Sequence, residues 1–393
     1  MRRITLVAVF LIGCGGHHDA GVDGPPGGND AAADVDGPPV VDGPPAVDDA
    51  AADVDATPPS SYPRLVVAGA DGVHIWDHAA ELDAVRPPDA TLAGVTGALG
   101  LAVGADTLYV TSSDAATALV RFAGASTLAD GAIPTGTLDA AALGETLGES
   151  HTPLLFDGGD LWINTWNGIH RVANAATATA ATAYFTHPWH QIASMVVDDG
   201  RLIGGQISGA GVLVWNHAAS RTGEVASDWT LSQQPVFHAV AAGDRLYGSS
   251  YAPPDISIWN AISTVTAAHA PDRVLHRVCG AGTGAELRYV TVTADDTLVV
   301  VHNERVSGGT GHHIKVCMFR HASTLADGAT PDAIAEDDVL RSTGTNSDKA
   351  VLVGTRLFVM GRDGVAIFDD ALGTPAFVAL LPVTGPTDLL VLR

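Results

Sequence analysis

Residues Arg356–Leu372 read RLFVMGRDGVAIFDDAL, and residues Arg64–Leu82 read RLVVAGADGVHIWDHAAEL. Both stretches contain an apolar run led by Leu, a Gly/Asp turn, a Val-x-x-aromatic run, an acidic residue and an Ala. Short apolar runs separated by a Gly/Asp turn are typical of neighbouring β-strands. Five further copies of the pattern lie between these two stretches, which makes seven in all. We therefore predict a repeat protein built from strands.

The seven copies agree at four positions, which predict how each repeat is organised. The second strand of every repeat opens with a Leu, at Leu65, Leu108, Leu161, Leu202, Leu246, Leu298 and Leu357. A bulky residue follows, at Trp76, Phe122, Val172, Trp215, Trp259, Phe319 and Phe368. The residue three positions before it is β-branched or Leu, and the residue three positions after it is small or apolar. Such agreement indicates duplication of one structural unit.

The spacing of the bulky residues, roughly forty to sixty positions, is that of a β-propeller rather than of a helical or leucine-rich repeat. Each repeat has room for four short antiparallel strands, which form one blade. The first repeat lacks a first strand, whereas the C-terminal stretch Val383–Arg393 matches the first-strand sequence Val95–Val103. We predict an all-β, seven-bladed propeller whose C-terminal strand pairs with the first blade and closes the ring.

The tetrapeptide Leu108–Thr111, LYVT, is close to the repeat that gives YVTN propellers their name. Residues 60–393 resemble the seven-bladed propellers of the YVTN/NHL-like group in this motif and in the repeat pattern. The resemblance implies the fold and leaves the function open, because members of the group include binding proteins, lactonases and relatives of quinoproteins.

The N-terminus, residues 1–13, resembles a lipoprotein signal peptide. Two Arg residues precede an apolar run from Ile4 to Ile12 that is too short to span a bilayer. The sequence Leu11–Cys14, LIGC, resembles a bacterial lipobox, which implies that Cys14 is acylated and becomes the mature N-terminus. The alternative is an ordinary cleaved signal followed by a coincidental Cys.

Residues 14–59 are predicted to form a disordered tether between the anchor and a domain of residues 60–393. The segment from Gly15 to Pro59 contains ten Asp, three Asp-Gly-Pro-Pro copies and no Lys, Arg, Glu or aromatic residue. Such a segment cannot bury enough apolar surface to offset the entropy of ordering, and its like charges and Pro pairs extend it. We expect an exported protein anchored in the cell envelope, with the outer membrane favoured because Gly15, rather than Asp, follows Cys14.

Charge and cysteine content limit the partners. The net charge is −24 and no Lys/Arg cluster is present, which argues against nucleic-acid binding and against electrostatic docking to anionic lipids. We expect a monomer. Cys279 and Cys317 remain after Cys14, and they are either a disulfide in an oxidising compartment or two buried thiols.

Ligand binding is expected at one rim of the propeller, formed by the loops between second and third strands and by the loops that lead into first strands. The turns of the opposite rim are uniform, whereas this rim carries unusual residues, and function usually lies on variable loops over a regular scaffold. The candidate ligand-binding residues are His151, His187, Trp189, His190, His238, Arg288, His312, His313, Asp348 and Lys349.

No catalytic signature accompanies these residues, since no Gly-x-Ser-x-Gly elbow is present. The loop histidines are the type of side chain that binds transition metals, although separate histidines on different blades are the simpler interpretation. No cofactor is predicted, and a divalent metal is left open. The leading hypothesis is a non-catalytic envelope lipoprotein whose rim binds a protein, a glycan or another ligand. The alternative is a metal-dependent, lactonase-like hydrolase that uses the axial mouth.

Overall fold

A computed structural model shows how the repeats are arranged. It describes residues 62–148, 154–165, 167–186, 192–206, 211–231, 236–250, 253–280, 285–305, 312–342 and 348–393. Within these ranges the regular secondary structure is almost entirely β, with short helical turns. None of the helices in this part of the chain is long and apolar enough to cross a membrane.

Twenty-nine strands are present in the described ranges. In chain order they are β1 (Arg64–Gly69), β2 (Gly72–Trp76), β3 (Ala90–Thr91), β4 (Ala98–Gly104), β5 (Thr107–Ser112), β6 (Leu119–Ala123), β7 (Gly136–Leu138), β8 (Leu154–Asp157), β9 (Asp160–Asn164), β10 (Ile169–Val172), β11 (Ala183–Thr186), β12 (Ile192–Asp198), β13 (Arg201–Gln206), β14 (Val212–Trp215), β15 (Gly223–Glu224), β16 (Trp229–Thr230), β17 (Val236–Ala242), β18 (Arg245–Ser250), β19 (Ile256–Asn260), β20 (Arg273–Leu275), β21 (Ala285–Val292), β22 (Leu298–Arg305), β23 (His312–Phe319), β24 (Ala333–Arg341), β25 (Ala350–Val353), β26 (Arg356–Gly361), β27 (Gly364–Asp369), β28 (Ala376–Leu381) and β29 (Asp388–Leu392). One helical turn, α1, spans Ala140–Leu143. The 3₁₀ turns span Ala79–Glu81, Ala115–Thr117, Ala125–Thr127, Ala218–Ser220, Ile262–Thr264, Val278–Gly280 and Ala322–Thr324.

The strands form seven sheets, and each sheet is one blade. From first strand to fourth, the blades are β29-β1-β2-β3, β4-β5-β6-β7, β8-β9-β10-β11, β12-β13-β14-β16, β17-β18-β19-β20, β21-β22-β23-β24 and β25-β26-β27-β28, numbered 1 to 7. First strands of neighbouring blades contact each other around most of the ring, so they surround its axis. The prediction of a seven-bladed, four-stranded, antiparallel propeller is confirmed.

The repeated Leu and the repeated bulky residue face each other across each blade. In all seven blades the Leu of the second strand is the direct cross-strand partner of the bulky residue of the third strand. All of these side chains are completely buried. Apolar cross-strand pairs buried between sheets are a main source of sheet stability. The positions that recur in the sequence are therefore the packing positions of the core.

A left-handed residue turns the chain after the third strand of every blade. These residues have φ between 48° and 70° and are His78, Gly124, Asn174, His217, Ala261, His321 and Asp370. The residue that follows each of them is the repeated small or apolar one, and its N–H donates to a backbone carbonyl just before the second strand. The side chain at this corner is buried in every blade, which explains why six of the seven are Ala.

The C-terminal strand closes the ring as predicted. β29 pairs antiparallel with β1, with Val66 opposite Leu390 and Leu65 opposite Val391. Leu389 and Leu392 are 3% and 4% exposed, so the last strand also contributes to the core. The two ends of the propeller sequence therefore belong to one sheet.

Seven arginines connect each blade to the next. Each donates side-chain N–H groups to backbone carbonyls in the corner of the following blade, and they are Arg64, Arg121, Arg171, Arg201, Arg273, Arg320 and Arg356. We call them the bridging arginines. Arg356 of blade 7 donates to the carbonyl of Leu82 in blade 1 at 2.6 Å. The series therefore runs around the whole ring.

Replacing a bridging arginine is expected to destabilise the propeller. Arg121 is 8% exposed and donates to the carbonyls of Ala175 and Ala178 at 2.9 and 2.8 Å. Because hydrogen bonds to a charged group contribute about 1.5–3 kcal/mol, Arg121→Met should lower the free energy of unfolding by about 2–4 kcal/mol. Urea unfolding measures this. Arg221 is the control, because its partly exposed ion pair with Asp228 lies within one blade and Arg221→Met should change stability by about 1 kcal/mol or less. Equal effects of the two substitutions would contradict the role of the bridging arginine.

Two local features differ from the predicted arrangement. The repeat pattern does not account for the single helical turn α1, which Asp139 caps by accepting a hydrogen bond from the Ala142 N–H. Blade 3 contains a fifth strand in addition to the predicted four. This strand is β15, which lies in the connection between the third and fourth strands of blade 4 and pairs parallel to β11. Such a short outer pairing depends on the position of a loop of the neighbouring blade, and the repeat pattern does not predict that position.

Cys279 and Cys317 form a disulfide in this structure, with Cα atoms 5.8 Å apart. Cys279 follows β20, the outer strand of blade 5, and Cys317 lies in β23 of blade 6. Of the two alternatives for this pair, the structure contains the disulfide. The bond joins two neighbouring blades.

Candidate functional site

Four first strands carry a β-bulge close to the rim where ligand binding was predicted. The bulges lie in β4, β12, β17 and β21, and the extra residues are Leu99, Ala193, Phe237 and Arg288. A bulge re-orients the adjacent side chains and is frequent beside functional sites. The Arg288 guanidinium lies 5.1 Å from the centre of the Phe237 ring, so the bulges of blades 5 and 6 contact each other.

One equivalent position around the axis is occupied by a different residue in each blade. In each blade, one residue of the first strand pairs with the repeated Leu of the second strand. The equivalent position lies three residues before that first-strand residue in the chain. From blade 1 onwards the residues are Asp388, Gly100, Ser194 in blade 4, His238, Tyr289 and Lys349. We call these six residues the axial layer. The equivalent residue of blade 3 lies outside the described ranges.

Four members of the axial layer, on the consecutive blades 5, 6, 7 and 1, form a continuous chain of contacts. The rings of His238 and Tyr289 lie 4.4 Å apart, and Lys349 Nζ lies 5.8 Å from the centre of the Tyr289 ring. Lys349 donates a hydrogen bond to Asp388, and Asp388 accepts a further one from the Leu101 N–H at 2.9 Å. We call His238, Tyr289, Lys349 and Asp388 the polar arc.

At neutral pH the polar arc contains the ammonium of Lys349 and the neutral side chains of His238 and Tyr289. Burial, together with the charge of Lys349, lowers the pKa of His238 to about 3, although a hydrogen bond with the Val290 backbone opposes this. Burial also raises the pKa of the Tyr289 hydroxyl. Burial disfavours the ammonium of Lys349, but Asp388 and Tyr289 outweigh that effect and raise its pKa. The imidazole is therefore neutral, and Nδ1 of His238 has no partner among the described residues.

The other side of the axial layer carries small residues. Gly100 has no side chain, and Ser194 is 3% exposed with its hydroxyl accepting from the Ala239 N–H. Although protein surrounds Lys349, its side chain is 27% exposed, because it lies beside the axis. A polar wall opposite small residues is a common arrangement in pockets for small molecules. The layer can offer an ammonium, a phenol and a neutral imidazole to one ligand.

The structure brings together only some of the predicted ligand-binding residues. His238 and Lys349 lie in the polar arc. Arg288 lies one residue before Tyr289 and forms an ion pair with Glu286. His151, His187, Trp189 and His190 lie outside the described residues.

The remaining three candidates lie elsewhere. Asp348 is 0% exposed and accepts hydrogen bonds from Ser342 and Asn303, so in this structure its carboxylate offers no surface to a ligand. His312 and His313 open β23, a third strand, which lies about 10 Å from the first strand of its blade. The sequence interpretation assigned both residues to the loop between the second and third strands, whereas in the structure they are the first two residues of the third strand.

Two residues of the polar arc, Tyr289 and Asp388, were not predicted. Tyr289 lies in an apolar run typical of strands, and Asp388 follows a Gly-Pro-Thr turn. A signal was nevertheless present. Val383–Arg393 aligns with the first strand of blade 2, and this alignment puts a carboxylate at a position where Gly100 stands.

A second polar cluster lies between blades 2 and 3. Glu145, which follows α1, accepts hydrogen bonds from Asn167 at 2.7 Å and contacts Nε2 of His170 at 3.2 Å. Burial opposes the charge on Glu145, but hydrogen bonds from His170, Thr165 and Asn167 outweigh it and lower the pKa of the carboxyl group. The cluster connects the segment after α1 to the third strand of blade 3, which is a structural role.

In the described ranges no three His, Cys, Asp or Glu side chains lie close enough to share a metal ion. A metal site would therefore need ligands from other segments, such as those with His151, His187 and His190. The metal prediction stays a prediction.

Comparisons with solved structures bear on the fold. The chain is similar to a candidate 6-phosphogluconolactonase of Bacteroides fragilis, with a TM-score of 0.60, 12% identity, and coverage of 86% of this chain and 100% of that chain. It is similar to another of Bacteroides uniformis, with a TM-score of 0.60, 11% identity, and coverage of 84% and 99%. No protein-family model matches the chain, and no curated protein sequence matches it. At these identities the likeness shows the fold alone.

Proposed function

We propose that this protein binds a small sugar acid at the axial layer without converting it. The observation that carries the proposal is the polar arc, in which four titratable residues from four consecutive blades occupy one equivalent position opposite small residues. Structural packing alone does not require titratable groups there, because blades 2 and 4 have Gly100 and Ser194 at the same position. A regular scaffold with one unusual polar layer is typical of a binding site.

The chemistry of the polar arc favours an acid that also carries hydroxyl groups. Lys349 is one of only two lysines in a chain with a net charge of −24, and its ammonium is the cation of the polar arc that an anionic ligand would contact. A ligand carboxylate would share the Lys349 ammonium with Asp388 through charge-assisted hydrogen bonds. The Tyr289 hydroxyl and the neutral imidazole of His238 can each donate to or accept from ligand hydroxyls.

The proposed setting is the outer membrane. The lipobox-like Leu11–Cys14 supports acylation of Cys14, and the Asp- and Pro-rich segment 14–59 supports an extended tether for the propeller. The protein would act there as a monomer, without a resident cofactor.

The alternative function is hydrolysis of a sugar-acid lactone by a metal-dependent, lactonase-like enzyme. The supporting observation is the likeness to the two structures described as candidate 6-phosphogluconolactonases. This alternative uses the same axial position but requires metal ligands from outside the described residues. Both proposed functions require the protein to bind the same class of ligand. Only the hydrolase would convert the ligand and need a metal ion to do so.

Isothermal titration calorimetry with gluconate, 6-phosphogluconate and glucuronate tests the site. We expect at least one of these acids to bind, and Lys349→Met combined with Asp388→Asn to weaken binding at least about tenfold, because a charge-assisted hydrogen bond contributes about 1.5–3 kcal/mol. The double substitution keeps an acceptor for the Leu101 N–H and leaves no unpaired buried charge. Lys315→Met is the matched control, since Lys315 is the other lysine and pairs with Glu304 and Glu336 away from the axis.

Two outcomes would count against the proposal. Binding that is unchanged in the Lys349/Asp388 variant would exclude the polar arc as the site. Hydrolysis of glucono-1,5-lactone above the spontaneous rate, lost with EDTA and restored by calcium, zinc or manganese, would favour the hydrolase instead.

A further inference from the structure

A pocket of about 430 Å³ lies between blades 4 and 5, on the rim opposite the one that carries the axial layer. Blade 4 contributes Asp199 from the turn between its first two strands, Asn216 and His217 from its corner, and Trp229 from its fourth strand. Blade 5 contributes Thr266 from the segment after its corner. The uniform turns of this rim did not suggest a binding site in the sequence.

Trp229 is unusual when the blades are compared with one another. It is the cross-strand partner of Val214, the residue before the bulky position of blade 4. The residues at the equivalent position of the other blades are Ala90, Gly136, Ala183, Arg273, Ala333 and Ala379. Five of these are Ala or Gly, and Arg273 is a bridging arginine. The blade architecture therefore does not require a large aromatic side chain at this position.

The indole of Trp229 also differs from the packing tryptophans. Trp76, Trp215 and Trp259 are completely buried, and each donates its Nε1–H to a carbonyl ten residues further on. Trp229 is partly exposed, and its Nε1–H has no acceptor among the described residues. One part of the indole packs on the edge of the core between blades 4 and 5 and the rest lines the pocket, so the exposed part of the ring can contact a ligand.

The polar side chains around Trp229 are available for hydrogen bonds. Asp199, in the turn between the first two strands, and His217, at the corner, are exposed and line the pocket. The guanidinium of Arg201, by contrast, is occupied by Asp198 and by the carbonyls of Ile262 and Val265. Among the described residues that line the pocket, no Lys or Arg side chain is free for an anionic ligand, whereas neutral and acidic hydrogen-bonding groups are present.

We infer that this pocket binds a neutral sugar unit of a glycan. The C–H face of a pyranose ring packs on an indole, while carboxylate, amide and imidazole groups such as those of Asp199, Asn216 and His217 form hydrogen bonds with its hydroxyls. This site is separate from the axial layer, and neither depends on the other. An acidic side chain beside an indole, as in Asp199 and Trp229, is also the chemistry that binds a quaternary ammonium group, which the experiment distinguishes.

Tryptophan fluorescence and calorimetry with cello-, xylo-, malto-, manno- and chito-oligosaccharides test the inference on the full-length protein. We expect at least one sugar to bind with a dissociation constant of about 1 mM or tighter and to protect Trp229 from acrylamide quenching. Trp229→Ala should abolish the binding and Trp229→Phe should retain part of it. His217→Asn should weaken it, whereas His78→Asn, at the equivalent corner of blade 1, should have no effect. The Lys349/Asp388 variant should bind the sugar like the wild type, which separates this site from the proposed function.

Three results would overturn the inference. The first is that no oligosaccharide of the set binds at about 10 mM, well above the expected dissociation constant. The second is sugar binding that is unchanged in both Trp229→Phe and His217→Asn, which are the variants least disturbing to the fold. The third is binding of tetramethylammonium, but of no sugar, in a manner that depends on Trp229.

Discussion

Deleting Asp388–Arg393 is expected to unfold the whole propeller rather than to shorten one blade. The deletion removes β29, leaves the inner edge of β1 without a partner and exposes core surface that Leu389 and Leu392 cover. Burial of each Leu contributes about 1.5–3 kcal/mol, and the ladder and the ring closure are lost as well. Because a typical domain has a stability of only about 5–15 kcal/mol, the deletion should remove most of that margin.

Circular dichroism, size-exclusion chromatography and thermal unfolding measure this effect. Deletion of residues 1–59 is the first control, and it should leave the melting temperature unchanged because that segment is predicted to be a tether. A circular permutant that joins Arg393 to Tyr62 and opens the chain between Gly158 and Gly159 is the second control. It retains every strand and should fold. A truncated protein with a native spectrum and a melting temperature close to that of the full chain would refute the importance of closure.

Lowering the pH from about 7.5 to about 5 is expected to destabilise the protein by about 2 kcal/mol for each of two histidines, His302 and His238. The pKa of His302 is lowered to about 4 by burial, with a smaller effect of Lys315, and Glu304 opposes the shift. The pKa of His238 is lowered to about 3. Both imidazoles have a pKa of about 6.5 in an unfolded chain. Below that pH the unfolded state binds protons that the folded state does not, so the stabilisation present above about pH 6.5 is lost as the pH falls.

Urea unfolding at the two pH values measures this difference directly. His302→Leu and His238→Asn should each reduce the pH dependence by about half, whatever their effect on absolute stability. His302→Leu should also not destabilise the protein at neutral pH, because both ring nitrogens of this completely buried residue lack a partner among the described residues. Glu145 does not interfere, because a carboxyl group with a lowered pKa loses its contribution only below about pH 4.5.

The fold could be predicted because its determinants are local and repeated. The Leu and bulky positions, such as Leu65 and Trp76, recur at similar separations in seven copies, and each pair lies within one β-hairpin. The bridging arginines were not predicted, because their acceptors are backbone carbonyls that carry no side-chain signature. An Arg-Leu dipeptide opens several second strands, for example at Arg64 and Arg356, but its meaning depends on the corner of the next blade.

The candidate site could be predicted only in part. His238 and Lys349 were recognised as unusual residues at the rim. Tyr289 and Asp388 resemble ordinary strand and turn residues, and their role is visible only after the first strands of different blades are superimposed. The sequence does not distinguish Trp229 from the tryptophans that pack in the core. Only its position opposite Val214 and its Nε1–H without an acceptor among the described residues distinguish it.

The amino-acid sequence by itself determined the number of blades, the phase of the second and third strands and the closing role of the C-terminus. Each of these follows from apolar side chains that must be buried at a repeated spacing along the chain. Only the tertiary structure decided which polar groups meet, because His238, Tyr289, Lys349 and Asp388 lie in four separate blades. Their contacts depend on bulges and on the packing of neighbouring first strands, and these distances between blades are not encoded in any single repeat.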